Sequence, residues 1–310
     1  MDTIRAFQDW LRRVPGFEGA LVGDALPVEG GASNLTFRVT LAGAPYPAVA
    51  LRIQRERGIF EPYDVLREAE VVRRLAHSGV PVPAVIAIES DPAVLGAPFA
   101  VFEWIDAPHM GEAGADASFA AFTSMVARIH RLDWRALELD FLGVPANAGD
   151  AVRDELALVA ARMKRFPGAD HPLLQRAVAI LRQQVPEDGR LSLCQGDINV
   201  FNYLFRRGEV AGVVDWEQAR IGDPRSDIGQ LIALSHLKGA PFVPPRDLPF
   251  VQAYEMATME PLTGLEFFRA FWLFQLGVIY YGWMAYSESE PWYPWDAIVV
   301  LLEDALAELT

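Results

Sequence analysis

The sequence predicts an α+β protein of two lobes, a small β-rich one followed by a larger, mainly helical one. Three observations lead there. Residues ~15–105 hold five short strand-like runs broken by one helical stretch, the content of a five-stranded antiparallel sheet plus a helix. From residue 106 onward apolar residues recur at helical spacing, interrupted by one short β-like insert rich in Asp and Asn. The chain has 310 residues, 52% hydrophobic and 22% charged, which describes a globular protein too long for one comfortable core. The expected division is 1–105 and 106–310.

The elements follow in order. Ile4, Phe7, Trp10 and Leu11 form one face of an amphipathic helix in Met1–Arg13. Gly16–Gly23 reads as a loop, and Val28–Thr40 as a strand, a turn and a second strand. Leu35, Phe37 and Val39 alternate there with Thr36, Arg38 and Thr40, as in a half-buried strand. Tyr46–Ile53 is a third strand. Glu61–His77 is a helix with Val65, Leu66, Ala69, Val72 and Leu75 on its apolar stripe, stopped by Ser78-Gly79. Val85–Ile88 and Phe99–Ile105 complete the sheet. Helices are then expected at Ser118–Leu132, Ala151–Arg165, Leu173–Val185, Arg225–Leu237, Phe250–Met259, Gly264–Tyr286 and Trp292–Leu309, with a proline-rich loop at Pro241–Pro249.

Charge and cysteine usage narrow the function. A formal charge of -14 argues against a nucleic-acid partner, which needs clustered Lys and Arg, but leaves room for a nucleotide held at a local positive site. One cysteine, Cys194, excludes an internal disulfide and argues against a Cys-based zinc site. No apolar run approaches the ~20 residues of a membrane span, and the N-terminal helix lacks a signal peptide's apolar core, so no membrane and a cytoplasmic setting are expected.

The chemistry concentrates in Leu193–Asn202 and Val213–Glu217. An apolar run leads into Asp197, with Asn202 five positions on. A second apolar strand ends in Asp215. A carboxylate that can take a hydroxyl proton, beside an amide oxygen and a second carboxylate suited to magnesium, is what metal-assisted phosphoryl transfer needs. Each residue also has a plain alternative. Asp197 could be a solvated turn residue, Asn202 a cap, and Asp215 the partner of Arg220 or Arg225. Upstream, Gly30-Gly31-Ala32-Ser33-Asn34 is first of all a hairpin turn, though backbone N–H groups of such a turn can approach phosphate oxygens. Arg52 sits inside the hydrophobic alternation of the next strand. Glu68 on the following helix is its candidate partner, in competition with Arg73 and Arg74.

This order of features resembles the protein-kinase-like fold and, more narrowly, the aminoglycoside phosphotransferase (phosphotransferase enzyme) family. The family's His-Gly-Asp-x-x-x-x-Asn loop corresponds to Gln195-Gly196-Asp197 through Asn202. Its Ile-Asp-Trp/Phe-Glu strand end corresponds to Val214-Asp215-Trp216-Glu217, and its Gly-Asp-Pro-x-x-Asp-Leu to Gly222-Asp223-Pro224-Arg225-Ser226-Asp227-Ile228. Ile129-His130-Arg131-Leu132-Asp133 matches its Leu-His-x-x-Asp. The Gly-Gly-x-Ser-Asn-x-Thr-Phe hairpin and the Leu-Arg strand are similar to the subgroup related to the kinase-like domain of acyl-CoA dehydrogenase fusion proteins. The likeness runs from about residue 20 to 235.

The resemblance implies ATP (or GTP) and Mg2+ as cofactors, a nucleotide-binding lobe in 1–105 and a catalytic and substrate lobe in 106–310. It implies Asp197 as catalytic base and Asn202 and Asp215 as magnesium ligands. Arg52 stands where the family has a phosphate-contacting Lys, and Glu68 where its pairing Glu sits. Ser33 and Asn34 lie over the phosphates, and Glu103, Trp104 and Ile105 form the hinge that meets adenine. Asp227 would brace the loop by accepting backbone N–H bonds, and His130 would be structural. Gln195 replaces the family's His, and an amide can donate and accept as that position requires. Arg52 replaces Lys, which is not a neutral exchange.

The acceptor is expected to be a small-molecule alcohol, bound between the loop and the C-terminal helices. Phe271 and Trp272 read as core, and Trp292-Tyr293-Pro294-Trp295 as a pocket wall. With Glu288, Glu290 and Asp296 nearby, the wall would suit an amphipathic or cationic alcohol. The rivals are a non-catalytic ligand-binding member of the fold and a protein kinase. Only about ten residues between Asp215 and Arg225, too few for an activation segment, argue against the second.

Overall fold

A computed structural model describes residues 3–28, 33–113, 115–237, 244–287 and 289–310. Helix α1 (Thr3–Leu11) precedes strands β1 (Leu21–Pro27), β2 (Leu35–Ala42) and β3 (Ala48–Ile53). Helix α2 (Val65–Leu75) and strands β4 (Val85–Glu89) and β5 (Phe99–Glu103) follow. The five strands form one antiparallel sheet in the order β1-β2-β3-β5-β4.

Strand parity sets what each face of this sheet does, because successive side chains point to opposite faces. Val49, Leu51 and Ile53 of β3 join Phe99 and Val101 of β5 under α1, which buries Phe7, Trp10 and Leu11 against them. Ala50 and Phe102 pack on the other side with Val65, Ala69 and Val72 of α2. Arg52 shares that second face, opposite Ala100 of β5 and Thr36 of β2. The same alternation along β3 that builds the outer core thus delivers Arg52 to the inner face.

The sequence reading misplaced the first strand. Gly16–Gly23 was expected as loop and the first strand near Val28, whereas β1 spans Leu21–Pro27. Its side chains are mostly exposed and carry no apolar alternation, so pairing with β2 defines it. The turn residues Gly30, Gly31 and Ala32 lie outside the described residues. Helix α2 starts at Val65 rather than Glu61, since Asp64 caps it by accepting from the N–H groups of Leu66 and Arg67.

Beyond β5 the chain is mainly helical: α3 (Met110–Ala113), α4 (Ala115–His130), α5 (Ala148–Met163) and α6 (Pro172–Gln183). A β insert follows, with β6 (Ser192–Cys194) paired to β9 (Arg220–Gly222) and β7 (Tyr203–Arg206) paired to β8 (Glu209–Val213). Helices α7 (Pro224–Leu237), α8 (Pro249–Thr258), α9 (Leu265–Tyr286) and α10 (Trp295–Ala307) close the fold. Helix α9 is buried almost all round from Leu265 to Val278, which explains its weak amphipathicity. It packs closely on α7, where a Cβ on Gly229 would come within 2.6 Å of the Phe268 carbonyl. No helix among the described residues is long and apolar enough to cross a membrane.

Candidate active site

Between the sheet and the helices lies a cleft of about 1510 Å3. Its lining includes every residue expected to act as base, hold the metal or contact the nucleotide: Ser33, Asn34, Arg52, Glu68, Glu103, Trp104, Ile105, Asp197, Asn202 and Asp215.

Two short two-stranded sheets carry the polar floor. The loop that begins at Gln195 leaves β6, which pairs with the later β9, and leads into the hairpin of β7 and β8. Asn202 immediately precedes β7 and its carbonyl accepts from Val214 N–H at 2.9 Å, so pairing itself sets Asn202 beside Asp215. Asn202 Nδ2 donates to the Asp197 carbonyl at 2.9 Å and to its carboxylate at 3.0 Å. That commits the amide nitrogen to Asp197 and leaves Oδ1 as the group's acceptor. Gly196 is required for this turn, because its φ is +86° and a Cβ there would come within 2.3 Å of the Gln218 carbonyl. Asp215 itself sits at φ 61°, a left-handed conformation that is strained for a residue other than glycine.

Behind the loop stands a buried brace. Asp227, at the start of α7, accepts from Gln195 N–H at 2.9 Å and Gly196 N–H at 3.2 Å. It also meets His130 Nε2 at 3.2 Å, while His130 Nδ1 bonds the Tyr254 hydroxyl at 2.8 Å. Burial alone would raise the Asp227 pKa, but His130, the charge of Arg220 and the Gln195 N–H override it and pull it below the usual range. His130, Cys194 and Asp227 cluster closely enough to suggest a metal. His130 and Asp227 already spend their polar atoms on protein partners, and burial holds the Cys194 thiol protonated. Gln195 takes the His position of the motif by bridging two strands: Nε2 donates to Val214 O at 2.9 Å and Oε1 accepts from Tyr203 at 2.8 Å.

In front of the loop the balance reverses. Asp197 accepts from Gln230 Nε2 at 2.5 Å, and burial with the nearby Asp215 charge pushes its pKa up to about 6. Arg52 meets Glu68 at 3.1 Å, Asp215 at 3.3 Å and Glu217 at 3.1 Å. Burial works against its charge, but the three carboxylates together hold it firmly protonated. The same burial raises Glu68 despite Arg52, and burial with Asp215 pushes Glu217 up to about 8. One guanidinium cannot satisfy three carboxylates. The Arg52 Nε–Glu68 contact is close but not aligned as a hydrogen bond.

The expected Arg52–Glu68 pair is therefore present, and Arg73 and Arg74 pair with Glu70 instead. Asp215 pairs with neither Arg220 nor Arg225. Arg220 goes to Glu155 and Asp227, and Arg225 to Asp223 and Asp188. Asn34 links the first hairpin to this cluster, donating to Glu217 at 3.1 Å and accepting from Arg55 N–H at 3.2 Å. Toward the other end, Glu103 closes β5 by accepting from Ala84 N–H, and Arg38 lies 5.5 Å over the Trp104 ring.

The C-terminal aromatics divide differently from the sequence expectation. Phe271 and Trp272 are both core as expected, and Trp272 also borders the cleft, where it donates to Ser226. Trp283, Trp292 and Tyr293 line it too. Trp295 does not, since it packs on Tyr280, Tyr281 and His171. Glu290 and Asp296 lie outside the cleft lining, and Glu288 outside the described residues. Glu217, Gln230, Tyr63, Arg55, Arg67 and Arg162 were not anticipated. For Gln230 a signal existed, as it follows Asp227 by three positions on one helix and so shares its face.

The profile of the phosphotransferase enzyme family matches residues 24–267. Acyl-CoA dehydrogenase family member 10 of Mus musculus is 25% identical over 283 residues, covering 86% of this chain and 25% of that protein. The chain thus spans about a quarter of that relative's length. A Ralstonia eutropha protein assigned to the aminoglycoside phosphotransferases has the same fold, with a TM-score of 0.70 at 22% identity over 99% of this chain and 96% of that one. Choline kinase from Streptococcus pneumoniae gives 0.66 at 14% identity over 98% of both chains. With the family profile covering most of the chain, and with its fold that of these kinase-like proteins, this protein belongs to the phosphotransferase enzyme family.

Proposed function

We propose that this chain is an ATP- (or GTP-) and magnesium-dependent phosphotransferase that moves the γ-phosphoryl group to a hydroxyl of a small molecule. The observation that carries this reading is the floor of the cleft, where Asp197, Asn202 and Asp215 meet with more carboxylate than the protein's own cations neutralise. The donors are all hard oxygens: a carboxylate of Asp215 and the Oδ1 of Asn202, whose nitrogen is already committed. Such a set fits Mg2+. Magnesium held there would neutralise charge on the phosphates.

The protein's own groups do the rest. Asp197, held by Gln230 and Asn202, accepts the proton of the acceptor hydroxyl as that oxygen bonds to phosphorus. The bond from the γ-phosphorus to its bridging oxygen breaks, and the nucleoside diphosphate leaves. Arg52 grips the phosphates, Ser33 and Asn34 cover them, and Glu103 to Ile105 take the base. Nucleotide contacts then come mainly from 1–105, and acceptor contacts from 106–310.

A second reading, a binder without turnover, is favoured by one observation: Arg52 already occupies Asp215 and Glu217. Thermal-shift titration with ATP and Mg2+, followed by an ATP-consumption screen over small hydroxyl compounds, separates the two. Mg2+-dependent binding with acceptor-stimulated consumption is the expected result. Binding with no consumption across the screen favours the second reading, and no nucleotide binding ends both.

A further inference from the structure

We propose that the acceptor alcohol carries an anionic group, a carboxylate or phosphate ester, which Arg162, assisted by Arg55 and Arg67, recognises on the cleft wall. This rests on the phosphotransferase reading and adds to it the class of acceptor.

The cleft's arginines fall into two sets. Arg52 is matched by Glu68, Asp215 and Glu217, and Arg220 by Glu155 and Asp227. Arg55, Arg67 and Arg162 line the same cleft, and among the described residues none has a carboxylate within ion-pair distance. Arg67 spends its guanidinium on the backbone carbonyls of Glu217 and Ala219. Arg162, on α5, donates to the Phe60 carbonyl at 3.0 Å and lies 5.5 Å over the Phe60 ring. Among the described residues, the buried Nε atoms of Arg55 and Arg162 have no hydrogen-bond partner. Phe60 joins Arg162 to Tyr63, since its carbonyl accepts from Arg162 and its N–H donates to the Tyr63 hydroxyl at 3.2 Å.

The acids nearby are already engaged. Glu155 serves Arg220, Ser226 and Gln275, Glu217 serves Arg52 and Asn34, and Asp64 caps α2. Arg165, beside Arg162 on the chain, has Glu61 as its own partner. Burial pulls Arg162 down to about 10, which still leaves it charged at neutral pH. Partly buried cations without carboxylates are costly unless a ligand supplies the anion. A guanidinium suits a carboxylate or phosphate because its planar fork can bind two oxygens at once.

Position separates this anion from the triphosphate. Arg162 stands on the helical side, among Leu158, Val159, Leu276, Ile279 and Trp283. An alcohol with an apolar body and an anionic end fits that wall. A cation, expected from the aromatic residues of the sequence, would find near Arg162, among the described residues, only Glu155 and Glu217, which already have partners.

Binding can be read without turnover. Hydroxycarboxylates of six and eight carbons, their amino-alcohol and diol counterparts, and octyl phosphate are titrated onto the full chain by calorimetry without nucleotide. ADP is titrated separately. The carboxylates and octyl phosphate should bind at least about tenfold tighter than the amines and diols, and Arg162→Gln should remove most of that preference. ADP affinity should change less than twofold. Arg55→Gln, a smaller perturbation, should reduce the same preference if Arg162→Gln fails to fold.

Equal or tighter binding of amines or diols, or no binding preference at all, overturns the proposal. So does a loss of ADP affinity in Arg162→Gln as large as the loss for the carboxylates, since the arginine would then read the nucleotide. Anion binding that persists while no acceptor is ever phosphorylated sinks the phosphotransferase reading instead and leaves the anion site standing.

Discussion

Behind the loop that begins at Gln195, Asp227 is fully buried, accepts two backbone N–H bonds and faces His130 and Arg220, and its pKa is pulled down. In front of the same loop, Asp197, Glu68 and Glu217 are also enclosed by protein, and their pKa values are pushed up. The two networks hold similar residue types a few ångströms apart and differ in balance. The rear one is complete within the protein. The front one has more anions than Arg52 can serve. A complete network maintains a shape, while an incomplete one is a candidate place for an external ligand, here the proposed cation and phosphates.

The largest effect should come from breaking the rear network. Asp227→Ala leaves the N–H groups of Gln195 and Gly196 and the Arg220 charge without their partner, and should cost about 3–5 kcal/mol of stability. Denaturant unfolding measures it, and a loss below about 1 kcal/mol would mean that the brace is incidental.

Gln230, one turn beyond Asp227 on α7, grips the loop twice, since its Oε1 accepts from Ile198 N–H and its Nε2 holds Asp197. Gln230→Ala should lower turnover by roughly tenfold to a hundredfold, the worth of a hydrogen bond to a charged group. Its effect should appear in kcat more than in the nucleotide KM. An unchanged kcat would remove Gln230 as a positioning residue.

The smallest effect is one of pH. Carboxylates raised in the folded state bind more protons there than in the unfolded chain, so their contribution to stability is lost as pH rises through their folded values. Between about pH 5 and 8, Tm without divalent cations should fall by roughly 2–4 °C for each kcal/mol lost. Mg2+ should restore more at pH 8 than at pH 6, where Glu217 is still protonated. Scanning calorimetry of the wild type and Glu217→Gln checks this. A Tm that rises with pH, or a slope unchanged in Glu217→Gln, would mean the front cluster is not raised as described.

These contrasts also show what the sequence made legible. The loop from Gln195 to Asn202 and the strand end at Asp215 were readable because strand alternation and short spacings fix them locally, whereas the Arg52–Glu68 pair, open locally to Arg73 and Arg74, was readable through the family resemblance. The five-stranded sheet was readable except at β1, whose side chains bear no pattern and whose position is set by its partner strand. Arg55, Arg67 and Arg162 were not readable as a group. They come from the segment after β3, from α2 and from α5, and only packing of the two lobes brings them into one cleft. Trp272 is core as expected yet also borders the cleft, and Trp295 does not border it, because helical periodicity shows which faces are apolar but not which of them border a cleft.

The central claim is that the front network transfers a phosphoryl group with Asp197 as its base, and Asp197→Asn tests it most directly. The variant keeps the shape of the side chain and removes a charge that the site holds at a cost, so Tm should not fall by more than a few degrees. Binding of ATP with Mg2+ should persist, while acceptor-stimulated ATP consumption should drop by about a hundredfold to ten-thousandfold. An Asp197→Asn protein that consumes ATP as fast as wild type in the presence of acceptor would contradict the account.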